Sequence, residues 1–218
     1  MSTLATEVST GSAPKNSHPL RAGVNLEPRH FSAIRRELLL KHCKWDPQVG
    51  DVATLADFPL VIRRSEWMEL ASLAESLAAE TSCADREVLE RPDLLDGLGL
   101  PRRLRAALRQ DGPVSPAAAR TMRFDFHVTT EGWRLSEVNS DVPGGFTGAS
   151  FFTALMAEQF SGLRAAGDPA ARWADAIARA VGPGGRVGLL SAPGFMEDHQ
   201  VVAYLARLLW RRNCEAHL

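Results

Sequence analysis

Long apolar runs are what this sequence most plainly lacks. No uninterrupted stretch approaches the roughly 20 residues needed to cross a bilayer, so no membrane-spanning helix is expected. Cysteine is almost as scarce: Cys43, Cys83 and Cys214 lie far apart and form no CxxC pair. So odd and sparse a set argues against a secreted disulfide framework and against a structural zinc site. Nor is there an excess of one charge. The 25 basic residues against 26 acidic ones leave a formal net charge of −1, which removes the electrostatic reason to expect nucleic acid or an anionic membrane as a partner. Arginine heavily outnumbers lysine. The N-terminal stretch is rich in Ser and Thr, with no apolar core of signal-peptide length, and residues 1–22 read as a disordered tail. A cytoplasmic protein is the default expectation.

What is there is ordinary globular composition, 45% hydrophobic and 23% charged over 218 residues. That suffices for one substantial domain, or one domain and part of another. Residues 31–43 read as a short amphipathic helix, broken by Asp46, Pro47 and Gly50. After an extended stretch at 57–62, Ser65 is a suitable N-cap for a long helix through Glu80. Within it Trp67, Leu70, Leu73, Ala74 and Leu77 recur at helical spacing and predict a buried stripe. Further short helices are expected near 86–89 and 102–109.

Strand character begins at Thr121, turns at Thr130-Glu131-Gly132 and returns over 133–139. A loop rich in Pro143, Gly144 and Gly145 leads to a helix over 148–163. A second helix runs to Val181, with Asp168 as N-cap and Pro169 at its first position. After the Gly182–Gly185 turn, 186–190 reads as a buried strand, 198–212 as a helix and 214–218 as the start of another strand. Strand, helix and strand make a βαβ unit. The sequence stops inside it, and a truncated reading frame or a fragment is the expectation.

The chemistry is concentrated in the hairpin. Side chains alternate along a strand, so Arg123, Asp125 and His127 share one face of the first strand, and Glu137 and Asn139 share a face of the second. A three-residue turn closed by Gly132 in the left-handed conformation pairs Thr129 with Trp133. That sets Asp125 opposite Glu137 and Arg123 opposite Asn139, all on one face. A two-residue turn would send Glu137 to the other side. Two carboxylates across a strand pair repel each other unless something positive lies between them. Oxygen ligands from Asp, Glu and Asn suit Mg²⁺, and Arg123 beside them could neutralise a transferring phosphoryl group. A solvated hairpin face of mixed charge fits the same pattern.

Other patterns are weaker. The Gly182–Gly185 turn lacks GxxxxGK[ST] and precedes a strand. Ser191 has no GxSxG around it, and no HExxH is present. Glu197 and Asp198 are accounted for by the positive end of a helix dipole.

The run Arg123-Phe124-Asp125-Phe126, a glycine turn, then Leu135-Ser136-Glu137-Val138-Asn139-Ser140-Asp141 before a proline resembles the glutathionylspermidine synthase family. That family has a circularly permuted ATP-grasp fold, with R-x-D followed by E-x-N twelve residues after the aspartate, a spacing kept here. Residues 191–198 are similar to the family's linking region.

The resemblance implies an α/β protein in three parts. Residues 1–22 would be the tail, and 23–165 a helical region with the hairpin of an incomplete ATP-grasp fold. Residues 166–218 would begin a parallel βα unit resembling a pre-ATP-grasp domain. It implies an ATP-dependent carboxylate–amine ligase that forms an amide through an acyl phosphate. Asp125, Glu137 and Asn139 would hold Mg²⁺ against ATP, and Arg123 would be catalytic. Ser140, Asp141 and Thr147 would line the approach of a small-molecule or peptide carboxylate, which an amine attacks. The family's ATP-binding lysines lie downstream and are not in this chain, so it is expected to be inactive alone, or complemented by another polypeptide. A non-catalytic module binding a peptide-like carboxylate is the alternative, and a helical interaction domain with an incidental hairpin a third.

Overall fold

The computed structural model describes residues 4–7, 18–46, 48–111, 120–140 and 144–218, and the chain is mixed α/β. Helix α1 (Pro28–Lys41) opens on a proline, where a missing N–H costs nothing, and buries Ile34 and Leu38. These pack with Leu55, Phe152 and Met156 into one of two apolar clusters.

Four strands form a sheet in the order β2-β5-β1-β8: β1 (Leu4–Glu7), β2 (Leu20–Ala22), β5 (Leu60–Arg63) and β8 (Leu163–Ala165). A two-stranded ribbon, β3 (Gln48–Val49) and β4 (Val52–Ala53), turns at Gly50. The strands β1 and β2 correct the expectation that residues 1–22 form a disordered tail. The reason lies in β5, whose Val61 and Ile62 are buried. Its N–H and C=O groups are cut off from water and need partners on both sides, and β1 pairs with it in parallel while β2 pairs antiparallel.

Helix α2 (Arg64–Glu90) is longer than expected and absorbs the separate helix read at 86–89. Its cap is also displaced: the helix starts at Arg64, with Ser65 already inside the first turn. No glycine or proline intervenes between Glu80 and Pro92, and the helix runs unbroken through Thr81 and Ser82, whose hydroxyls donate to the Leu77 and Ala78 carbonyls. The predicted stripe is not buried: Trp67, Leu70, Ala74 and Leu77 are half-buried, Leu73 is 38% exposed, and no residue of α2 is buried. Short helices α3 (Pro92–Gly97) and α4 (Arg102–Asp111) follow.

The hairpin consists of β6 (Arg123–Thr129) and β7 (Gly132–Asn139). Beyond it a π-helical turn (Gly148–Phe152) runs into α5 (Thr153–Glu158). That helix ends sooner than the expected 148–163, at Glu158, and Gly162, at φ +84°, then redirects the chain into β8. Helix α6 (Pro169–Val181) begins as expected: the Asp168 carboxylate accepts the Ala171 N–H at 2.9 Å, and Pro169 takes the first position.

Then come β9 (Arg186–Gly188), α7 (Met196–Trp210) and β10 (Glu215–His217), and β10 lies parallel to β9 as a βαβ unit requires. The strand read at 186–190 is not buried, however. Its sheet has two strands, and Leu190 is 94% exposed. Small Ala170 and Ala174 on α6 let α7 approach closely with Val201, Leu205 and Leu209, the centre of the larger apolar cluster. Phe146 and Cys43 join that cluster, so it draws on residues on both sides of position 165. Two polar ties reinforce it: Trp45 N–H donates to Gln200 Oε1 at 2.9 Å, and Arg207 Nη1 to the Lys41 carbonyl at 2.6 Å. Among the described residues no helix is long and apolar enough to cross a membrane.

Truncating the fully buried Leu38 or Phe152 to Ala removes contacts that the packed surroundings cannot replace. Urea denaturation should show a loss of roughly 2–5 kcal/mol, whereas Leu190→Ala should stay within about 0.5 kcal/mol of the parent.

Candidate functional site

The four hairpin residues meet in the pairing read from the sequence, but by another route. Thr129 pairs with Gly132, so the turn has two residues, Thr130 and Glu131, rather than three. The Thr129 hydroxyl braces it, accepting the Glu131 N–H at 3.2 Å and donating to the Gly132 carbonyl at 2.7 Å. Such a turn alone would put Glu137 on the wrong face. A β-bulge corrects the offset. Phe126 pairs with Leu135 and Asp125 with Glu137, which leaves Ser136 as the extra residue. Its hydroxyl donates to the Asp125 carbonyl at 3.2 Å and lies 2.7 Å from His127 Nε2. His127 thus braces the bulge.

Beyond the bulge Asp125 faces Glu137 and Arg123 faces Asn139. The Arg123 guanidinium grips Asp125 with two bonds, Nε to Oδ1 at 2.9 Å and Nη2 to Oδ2 at 3.2 Å. This pairing, with the nearby charges of Glu137 and Glu197, holds the Arg123 pKa above its ordinary value against the cost of partial burial. The Glu137 carboxylate makes no hydrogen bond among the described residues. The Asn139 Oδ1 is buried and has no hydrogen-bond partner there.

Glu197, at the first turn of α7, joins the site from far along the chain. Its carboxylate lies so close against Gly144 that a Cβ at that position would collide with it. Helix-dipole reasoning accounted for Glu197 locally, but no spacing in the sequence signals its approach to the hairpin.

Beside Arg123 opens a cavity of about 390 Å³, walled by Arg120, Arg123, Gly144, Phe146, Arg172 and Trp173 among others. Ser140 is half-buried and accepts from Arg120 Nη2 at 3.5 Å, which brings it to the edge of this group. Thr147 is only 5% exposed and does not line the cavity; its neighbour Phe146 does. Asp141 lies outside the described residues. Ser191 Oγ is 3.2 Å from His199 Nδ1, but the pair is exposed and the ring has no carboxylate partner among the described residues.

The hairpin is fastened to the helical region through one carboxylate. Glu66 accepts from Arg63 Nη2 at 2.8 Å and from Trp133 Nε1 at 3.2 Å. The Arg63 bond and, after it, the Trp133 bond outweigh burial and hold the Glu66 pKa below its ordinary value.

Among the described residues no three His, Cys, Asp or Glu side chains converge to hold a metal ion. Mg²⁺ is commonly held by one or two carboxylates plus substrate phosphates and water. Two opposed carboxylates and an unpartnered amide oxygen are a donor set of that kind. Comparison with protein-family models, curated proteins and solved structures finds no match for this chain.

Because the folded-state pKa of Glu66 is depressed, its tie stabilises fully above the unfolded value of about 4.5 and weakens as pH falls through the lowered folded value. The stability gap between the parent protein and Glu66→Gln, read as urea midpoints, should therefore be widest at neutral pH and close progressively below pH 4.5. A gap independent of pH would contradict this.

Proposed function

We infer that Asp125, Glu137 and Asn139 form the magnesium-holding edge of an ATP-dependent carboxylate–amine ligase of the glutathionylspermidine synthase type, with Arg123 beside it. The observation that carries the reading is the opposition of Asp125 and Glu137 next to an Asn139 oxygen buried without a partner among the described residues. An orphaned acceptor costs stability, and a cation is the simplest thing that would satisfy it together with two facing carboxylates. Bound there with a nucleotide, Mg²⁺ would neutralise phosphate charge and anchor the phosphate oxygens.

The chain's own residues supply the rest. Asp125 and Glu137 offer anionic oxygens from adjacent strands, and Asn139 adds a neutral one. Arg123 keeps its charge at any working pH and presents a planar fork suited to a phosphoryl or carboxylate group. The bidentate grip on Asp125 orients that fork. The cavity beyond Arg123 offers space for the acid. Lys41 pairs with Glu37 and Lys44 with Asp46, so neither serves the hairpin. A second reading, a non-catalytic module for a carboxylate, draws on the same cavity and on the absence of a third acidic ligand among the described residues.

Mn²⁺ with a non-hydrolysable ATP analogue, followed by the paramagnetic signal of the free ion, separates the two. The ligase reading expects Asp125→Ala and Glu137→Ala each to weaken metal binding tenfold or more; unchanged binding in both would sink it. Asn139→Leu should act in opposite directions, weakening Mn²⁺ binding while raising the urea midpoint by the equivalent of about 1 kcal/mol, because a desolvated acceptor is removed.

A further inference from the structure

The cavity beside the hairpin has an uneven distribution of charge. Arg120 is engaged with Asp85 at 3.1 Å and Arg123 with Asp125, both carboxylates that do not themselves line it. Arg172 is different. Asp175, on the same helix, holds Arg212 at 2.6 Å and interacts with Arg172 through charge alone, and Arg172 makes no side-chain hydrogen bond or ion pair among the described residues. Three guanidinium-bearing residues thus border the space, one of them with no hydrogen-bonded partner among the described residues, and no described carboxylate lines it. Glu197 rests against Gly144 but is not part of the wall.

The remaining wall is mostly apolar. Phe146 and Trp173 lie with ring centroids 4.9 Å apart and planes inclined by 31°, and Met122 and Pro169 extend the surface. Phe146 belongs to the larger core cluster and the half-buried Trp173 packs against it, so this wall is backed by packed side chains. A rigid aromatic surface of this kind favours a flat apolar ligand body. At about 390 Å³ the space lies near the lower end for small-molecule sites.

We propose that this cavity binds a small aromatic monocarboxylic acid, its carboxylate on Arg172 and its ring against Phe146 and Trp173. The inference rests on the ligase reading only in calling that ligand the acid substrate. A zwitterionic, peptide-like acid fits worse, because its ammonium group would enter a space with three arginines and no described carboxylate in its wall. The charge on the ligand is therefore as much a criterion as its shape.

Isothermal titration of the full chain with cinnamate, cinnamamide and glutathione, without metal or nucleotide, tests this. Cinnamate should bind, and cinnamamide, equal in shape but uncharged, should bind at least tenfold more weakly. Glutathione should bind more weakly than cinnamate. Arg172→Gln, at an exposed helix position that leaves the fold intact, should weaken cinnamate roughly tenfold, and Trp173→Phe should weaken it less. Equal binding of cinnamate and its amide, preference for glutathione, or no binding of cinnamate would overturn the proposal. Cinnamate binding with no effect of Asp125→Ala or Glu137→Ala on Mn²⁺ would remove the ligase reading and leave the cavity's ligand standing. The converse pair of results would do the reverse.

Discussion

Like charges placed directly across two strands destabilise the pair unless a third group compensates them. Asp125 and Glu137 are in that position, and the local arrangement follows from it. Arg123 folds onto Asp125 with two bonds, and Glu197 reaches toward the same cation from α7. The pairing depends in turn on a single inserted residue. Without Ser136 out of register, Glu137 would lie on the opposite face and the two carboxylates would never meet. A destabilising contact kept by a bulge, rather than removed by one, is the feature that most needs a functional explanation.

Around this patch the molecule is built in two unequal ways. The α6–α7 pair, its small alanines and the leucines they admit, is densely packed, and Cys43 and Phe146 belong to the same cluster. The long α2 and the hairpin are held differently, with half-buried faces and a few directed bonds such as Glu66 to Trp133. Interactions of that kind set orientation while contributing little to stability. The cavity lies at the junction, with Trp173 from the packed side and Arg120 and Arg123 from the looser one.

How far the sequence can be read depends on the range of the forces involved. The start of α6 was legible to the residue, since Asp168 and Pro169 act within one turn. The βαβ order of β9, α7 and β10 followed from periodicity. The pairing of Asp125 with Glu137 was legible too, although the turn that was to produce it was one residue longer than the real one. A bulge leaves no local signature when its residue is an ordinary serine. The strands within residues 1–22 were missed because the demand for them arises elsewhere, in the unpaired backbone of the buried β5. The end expected for α2 at Glu80 has no breaker behind it: neither glycine nor proline occurs before Pro92, and the helix runs on to Glu90. Glu197 and Arg172 were beyond reach for the simplest reason: what matters about each is a neighbour distant in sequence.

The approach of Glu197 to Gly144 has a consequence for how this protein can vary. Every residue other than glycine carries a Cβ, and at position 144 that one carbon would meet a carboxylate. The Glu197 carboxylate is the exposed end of a flexible side chain, so a side chain gained at 144 would turn it aside rather than move α7. What would be lost is the negative charge that α7 brings toward Arg123. The smallest residue in the loop thereby leaves room for a charge supplied from a distant part of the chain.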